Sequence, residues 1–167
     1  LYLQYIKAMT PQMAGFVLMA QPVMMAIFSP FAGKLSDRIE PRIIASSGMA
    51  LMAIGLVFLI WIGQDTSISY IVPCLLVLGF GYALFSSPNM NAIMSSVEKR
   101  YYGIAAGSVA TMRLLGQMFS MGIATLILSL YIGRVEISPE HYPAFITCVK
   151  TAFIVFTVLC CGGIVLS

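Results

Sequence analysis

Charged residues punctuate this chain so sparsely that the intervals between them outline its architecture. Five stretches carry no Asp, Glu, Lys or Arg: 8–33, 43–64, 66–97, 114–133 and 151–167. Within them apolar residues run on continuously instead of alternating with a period of two, which selects helix over strand. A helix rises about 1.5 Å per residue, so about 17–25 apolar residues cross a hydrocarbon core about 30 Å thick. A helix also satisfies its backbone hydrogen bonds within the segment, as lipid demands. The pattern predicts spans over 11–33, 43–63, 69–89, 103–132 and 147–167, with residues 1–8 as the last turns of a further span. The expected fold class is all-α, a polytopic transmembrane helix bundle of five full spans plus the end of a sixth.

Composition agrees with that pattern. Of 167 residues, 60% are hydrophobic and 9% charged, against about 45–50% and 25% in a soluble globular domain. The net charge of +3 includes no basic stripe interleaved with aromatics, so nucleic acid is excluded as a partner. Cys74, Cys148, Cys160 and Cys161 lie in apolar runs without CxxC or Cys/His spacing, which argues against a disulfide framework or a metal site. The chain opens on Leu1 and closes at Ser167 inside a hydrophobic run. It reads as a fragment of a longer protein.

The basic residues assign an orientation. Lys34, Arg38, Arg42, Lys99 and Arg100 fall in the second and fourth connections, Lys7 and Arg134 in the first and fifth. By the positive-inside rule the loops near 34–42 and 90–102 are cytoplasmic, in a protein expected in the cell (plasma) membrane. Lys150 is expected at the outer end of the last span, its stem snorkelling to the headgroups. Pro22, Pro30, Pro73 and Pro88 predict kinks in the first and third full spans. Small residues at Gly103, Gly107, Gly116, Ser120 and Ala124 are spaced for close backbone approach, as ordinary packing or as a moving interface.

The second connection reads Gly33-Lys34-Leu35-Ser36-Asp37-Arg38-Ile39-Glu40-Pro41-Arg42. Pro41 suits the first turn of the next helix. Asp37 suits a helix N-terminus or a pairing with Arg38 or Arg42. This segment resembles the charged loop between the second and third helices of each half in the major facilitator superfamily, G-x-L-a-D-r-x-G-r-k/r. Gly33, Leu35, Asp37, Arg38 and Arg42 match; Glu40 and Pro41 depart from it, as in the degenerate copy of C-terminal halves. The flanking text, LYLQYIKAMTPQMAGFVLMAQPV before and SSPNMNAIMSSVEKRYYGIAAGSVATMRLLGQMFSMGIA after, is similar to the last six helices of a drug:proton antiporter of the fourteen-span type. The resemblance covers essentially the whole chain. It implies that Asp37 belongs to a conformational latch; a topology-setting charged turn is the plainer alternative.

Within the spans, Arg113 is the outstanding polar residue. If the membrane begins near Gly103, Arg113 lies near the midplane, where a charge must face a partner or a water-filled cavity; if 114–133 alone fills the bilayer, it is an interfacial anchor. Gln117 and Ser120 extend it into a polar stripe at i+4 and i+7. Tyr82, Ser86 and Asn89 repeat that spacing in the preceding span, and in the first full span Gln21 shares a face with Met24, Met25 and Phe28. By the resemblance these are the eighth, tenth and eleventh helices of a twelve-helix core, and their polar stripes face a substrate cavity. Twelve methionines include some suited to re-packing around varied ligands, Met24, Met25, Met112 and Met90 among them.

No Asp or Glu falls inside a span, so a coupling carboxylate would have to lie in the missing half. The implied activity is secondary active transport, proton-coupled multidrug efflux by alternating access, on small amphipathic or cationic substrates, with a proton gradient and no cofactor. The alternative is a non-transporting membrane sensor or assembly subunit. An enzyme is not expected: no GxSxG or HExxH occurs and the single histidine, His141, lies in a polar connection.

Overall fold

The computed structural model describes residues 2–36, 38–63, 65–131 and 142–166. They form helices α1 (Tyr2–Tyr5), α2 (Pro11–Leu18), α3 (Ala20–Ser36), α4 (Pro41–Ile60), α5 (Ile68–Ser95), α6 (Tyr102–Tyr131) and α7 (Tyr142–Leu166), with one 3-10 turn at Lys99–Tyr101. No strand occurs among the described residues. Five helical segments are long and apolar enough to cross a membrane: Pro11–Ser36, Pro41–Ile60, Ile68–Ser95, Lys99–Tyr131 and Tyr142–Ile164. Asp37, Arg134 and His141 lie outside the described residues.

Local chemistry sets the helix starts. Thr10 caps α2, its hydroxyl accepting from the Met13 amide at 3.3 Å, with Pro11 following where no donor is needed. Pro41 likewise opens α4; Glu40 occupies the cap position and makes no side-chain capping bond. The first span is interrupted at Met19, between α2 and α3. Pro22 cannot donate to the carbonyl of Leu18, which explains the break there. By contrast α3 runs on through Pro30, and α5 through Pro73 and Pro88. Helices α5 and α7 extend furthest past their expected bounds: α5 continues past residue 89 to Ser95, and α7 begins at Tyr142. Lys150 is therefore eight residues inside its helix, about 12 Å from the start.

Helix α5 is the hub, with α4 and α3 packed along it; α7 packs on α4, and α6 rests on α7 and more lightly on α5. Glycines make the α4–α5 contact possible. A Cβ on Gly48 would stand 2.7 Å from both the Gly81 carbonyl oxygen and the Phe85 amide nitrogen, and one on Gly81 would stand 2.9 Å from the Gly48 oxygen. These are backbone atoms that cannot swing away. On the next face of α5, Gly79 admits the backbone of Gln21. The close approaches expected at Gly103, Gly107 and Gly116 are not found: a Cβ at any of them meets nothing within 4 Å. Within this chain α6 leaves its small-residue positions open because its partners contact it elsewhere.

At the end remote from the 34–42 connection, Leu3, Ala14, Leu59, Ile62, Ile71, Cys74 and Leu75 form a buried apolar cluster. The Tyr2 hydroxyl donates to the Gly63 carbonyl at 2.5 Å, and the Gly63 amide donates to Thr66 Oγ1 at 2.7 Å. These bonds tie the short α1 to the α4–α5 connection.

Candidate substrate cleft

Positions 82, 86 and 89 lie on one face of α5, and that face meets α6. There Arg113 Nη2 donates to Ser86 Oγ at 3.0 Å. Ser86 lies nine residues before the end of α5 and Arg113 eleven after the start of α6, about 14 and 16 Å along their helices. Both distances run from the same connection, so the contact joins matching depths of the two helices.

A cleft opens on either side of it. One, of about 560 Å³, is lined by Ser29, Ser87 and Asn91 with Ala106 and Ala110. The other, of about 360 Å³, is lined by Tyr82, Phe85 and Asn89 with Ser108 and Met112. Ser86, Met90, Val109 and Arg113 border both. The small side chains that α6 presents between residues 105 and 110 leave this room.

The chemistry is that of a recognition surface. Arg113 offers up to five donors in a fixed fork and no acceptor, while the serines, Tyr82 and the two asparagines offer both. Phe85, Met90 and Met112 add apolar and polarizable area. Among the described lining residues there is no carboxylate, and no described cluster of His, Cys, Asp or Glu is arranged to hold a metal ion.

The structure brings together Tyr82, Ser86, Asn89 and Arg113, with Met90 and Met112. It does not bring the other polar positions to them. Gln21 and Met24 lie where α3 crosses Gly79, close enough that a Cβ there would be 3.0 Å from Met24 Cβ. Met25 borders neither cleft, and Gln117 and Ser120 continue along α6 as exposed residues beyond both. Conversely, Ser29, Ser87 and Asn91 are cleft residues that sequence reasoning missed. The i, i+4 pair Ser87 and Asn91, beside the Tyr82 stripe, was the available signal.

Asn91 also reaches the second connection. Its Nδ2 donates to Ser36 Oγ at 3.0 Å, and Ser36 Oγ donates to the Gly33 carbonyl at 2.7 Å. Ser36 is a buried polar side chain at 8% exposure. A Cβ on Gly33 would stand 3.1 Å from Ser87 Oγ, so only a minimal residue fits there without displacing that hydroxyl. Gly33 is thus held against the same two α5 residues that line the larger cleft. Leu35, Arg38 and Arg42 are exposed around this anchor.

A bundle of apolar helices with a polar, cation-bearing cleft between two of them is the architecture of a membrane transport domain. The Major Facilitator Superfamily profile matches residues 1–167, and the chain belongs to that family. It is 33% identical over 123 residues to the riboflavin transporter RibZ of Clostridioides difficile, covering 74% of this chain and 26% of RibZ. It is 30% identical over 128 residues to the uncharacterized transporter YebQ of Escherichia coli, covering 77% of this chain and 28% of YebQ. To the lincomycin resistance protein LmrB of Listeria monocytogenes it is 26% identical over 173 residues, covering 100% of this chain and 37% of LmrB. The chain thus spans well under half the length of these curated relatives. No solved structure matches it. The protein is an integral membrane protein of a transporter family.

Proposed function

We propose that this chain forms the C-terminal wall of a proton-driven exporter that moves small amphipathic compounds by alternating access. The observation that carries this reading is the Arg113–Ser86 contact, with an open cleft on each side. A guanidinium at that depth is tolerated where it faces a partner or a water-filled cavity. Relatives whose names specify lincomycin resistance and riboflavin transport support a small-molecule cargo.

The charge of the cleft refines the substrate class. This wall carries a cation and no described carboxylate, so it suits amphipathic compounds that present acceptor oxygens. A cationic compound would require its counter-charge from outside the described lining of this cleft, as would the proton-coupling acid. The open small-residue face of α6 suits an interface that slides against another half of the transporter. The Gly33–Ser36–Asn91 hydrogen bonds support a latch in the 33–42 connection, on the cytoplasmic side of the plasma membrane, because they couple that loop mechanically to the cleft.

The full-length protein in liposomes, with an imposed pH gradient and a fluorescent amphipathic dye, tests the reading. Dye movement should require the gradient and be accompanied by net proton flux in the opposite direction. Dye flux that ignores the gradient would remove antiport, and no flux with any dye would favour a sensor or assembly subunit.

A further inference from the structure

A further pocket lies on the far side of α5. It holds about 540 Å³ between α3 and α5 and is bordered by Phe28, Phe31, Phe80 and Leu84, with Lys34 and Arg38. Phe80 and Leu84 stand two positions from Tyr82 and Ser86, a rotation of about 200° around the helix, so this groove faces away from the substrate cleft. Its floor is aromatic: Phe28 and Phe80 meet edge to face at 4.9 Å, and Phe31 lies 6.2 Å from Phe28. Phe31 is 65% exposed although it lies within a membrane span.

Polarity runs along the groove. From Phe28 to the end of α3 at Ser36 is about 12 Å, most of one leaflet of a hydrocarbon core about 30 Å thick. The apolar rings occupy the deep part, and the two cations stand at the helix end. Among the described residues no carboxylate borders the groove and none forms an ion pair with Lys34 or Arg38. A ligand complementary to this surface has an apolar chain and an anionic head, and it approaches from within the bilayer. Basic pockets between spans are known binders of acidic lipid headgroups.

We propose that the α3–α5 groove is a binding site for an anionic phospholipid, its acyl chain against Phe28, Phe31, Phe80 and Leu84 and its phosphate held by Lys34 and Arg38. The bound lipid stands beside the 33–42 connection, so it ties the stability of that loop to membrane composition.

The test uses the full-length transporter carrying Phe31→Trp, with its other tryptophans, Trp61 included, replaced by Phe. It is reconstituted into phosphatidylcholine vesicles in which either phosphatidylglycerol or part of the phosphatidylcholine bears bromine on its acyl chains, a short-range fluorescence quencher. The brominated anionic lipid should associate about 5- to 30-fold more strongly than the brominated zwitterionic one, the attraction of one to two cations. Lys34→Gln with Arg38→Gln should bring the two lipids to parity while both still quench. High salt should reduce the preference with both cations present, an arm that needs no second variant. Equal quenching by the two lipids at low salt with Lys34 and Arg38 intact would overturn the proposal. So would the absence of quenching by either, which would mean that protein covers the groove.

Discussion

Gly48→Leu should prevent the transporter from accumulating as a folded protein. The Cβ of any larger residue at this position lands 2.7 Å from the Gly81 carbonyl oxygen and the Phe85 amide nitrogen, and backbone in the middle of a helix has no rotamer by which to move. Overpacking a core costs about 1–3 kcal/mol when side chains can yield, and more when they cannot. Here the remedy is to separate α4 from α5, which would undo the main contact of the hub helix. A loss above about 3 kcal/mol is a large part of the roughly 5–15 kcal/mol by which domains are stable. Size-exclusion profiles of a fluorescent fusion should show aggregate in place of the monodisperse peak. Gly162→Ala is the control: a Cβ there meets nothing within 4 Å, and replacing a helical glycine contributes about 0.5–1 kcal/mol of stability. A folded, monodisperse Gly48→Leu protein would show that the α4–α5 crossing is looser than described.

Arg113→Ala should leave folding intact and impair transport. Arg113 is exposed within this chain and makes its hydrogen bond to another partly exposed side chain, so stability should change by no more than about 0.5 kcal/mol. A hydrogen bond from a charged donor is worth about 1.5–3 kcal/mol. If the guanidinium makes such a bond to substrate, its removal weakens transport about 10- to 100-fold, at about 1.4 kcal/mol per decade. Arg113→Lys keeps the charge but not the planar fork and should fall between the two. Initial efflux rates across a range of substrate concentrations, normalised to membrane protein, would separate this result from a loss of expression. Wild-type efflux by Arg113→Ala would assign the residue to topology alone.

The parts of the fold that were legible in the sequence depend on solvent. Uninterrupted apolar runs have one stable form in lipid, and the five spanning helices follow from the spacing of charges. Their ends were less legible, since a helix continues past the hydrocarbon core wherever nothing stops it. Thus α5 absorbs Pro88 and proceeds to Ser95, and α7 starts at Tyr142 with Pro143 in its first turn, where a missing donor is harmless. Periodicity likewise identified the face of α5 that carries Tyr82, Ser86 and Asn89, because that depends on one helix only.

What periodicity cannot supply is the rotation of one helix against another. Ser86 meets Arg113, and Asn91 meets Ser36, through the way α5 is turned between its neighbours. The same reason explains the glycines. Four-residue spacing singles out Gly103, Gly107 and Gly116, yet the tightest α4–α5 backbone approach sets Gly48 against Gly81, with Gly55 and Gly79 opening further contacts to Leu78 and Gln21. A crossing point needs small residues opposite each other in space, and a repeat along one helix is not required.

The water accessibility of Ser86 tests the transport path most directly. In a full-length transporter without other cysteines, with Cys74, Cys148, Cys160 and Cys161 replaced, Ser86→Cys should react with a charged, membrane-impermeant thiol reagent, because only a thiolate in contact with water is reactive. A saturating transported compound should slow that reaction, while Phe31→Cys, in the α3–α5 groove on the opposite side of α5, should stay unmodified. A Ser86→Cys protein that resists the reagent, or reacts at the same rate with and without substrate, would contradict a substrate path between α5 and α6.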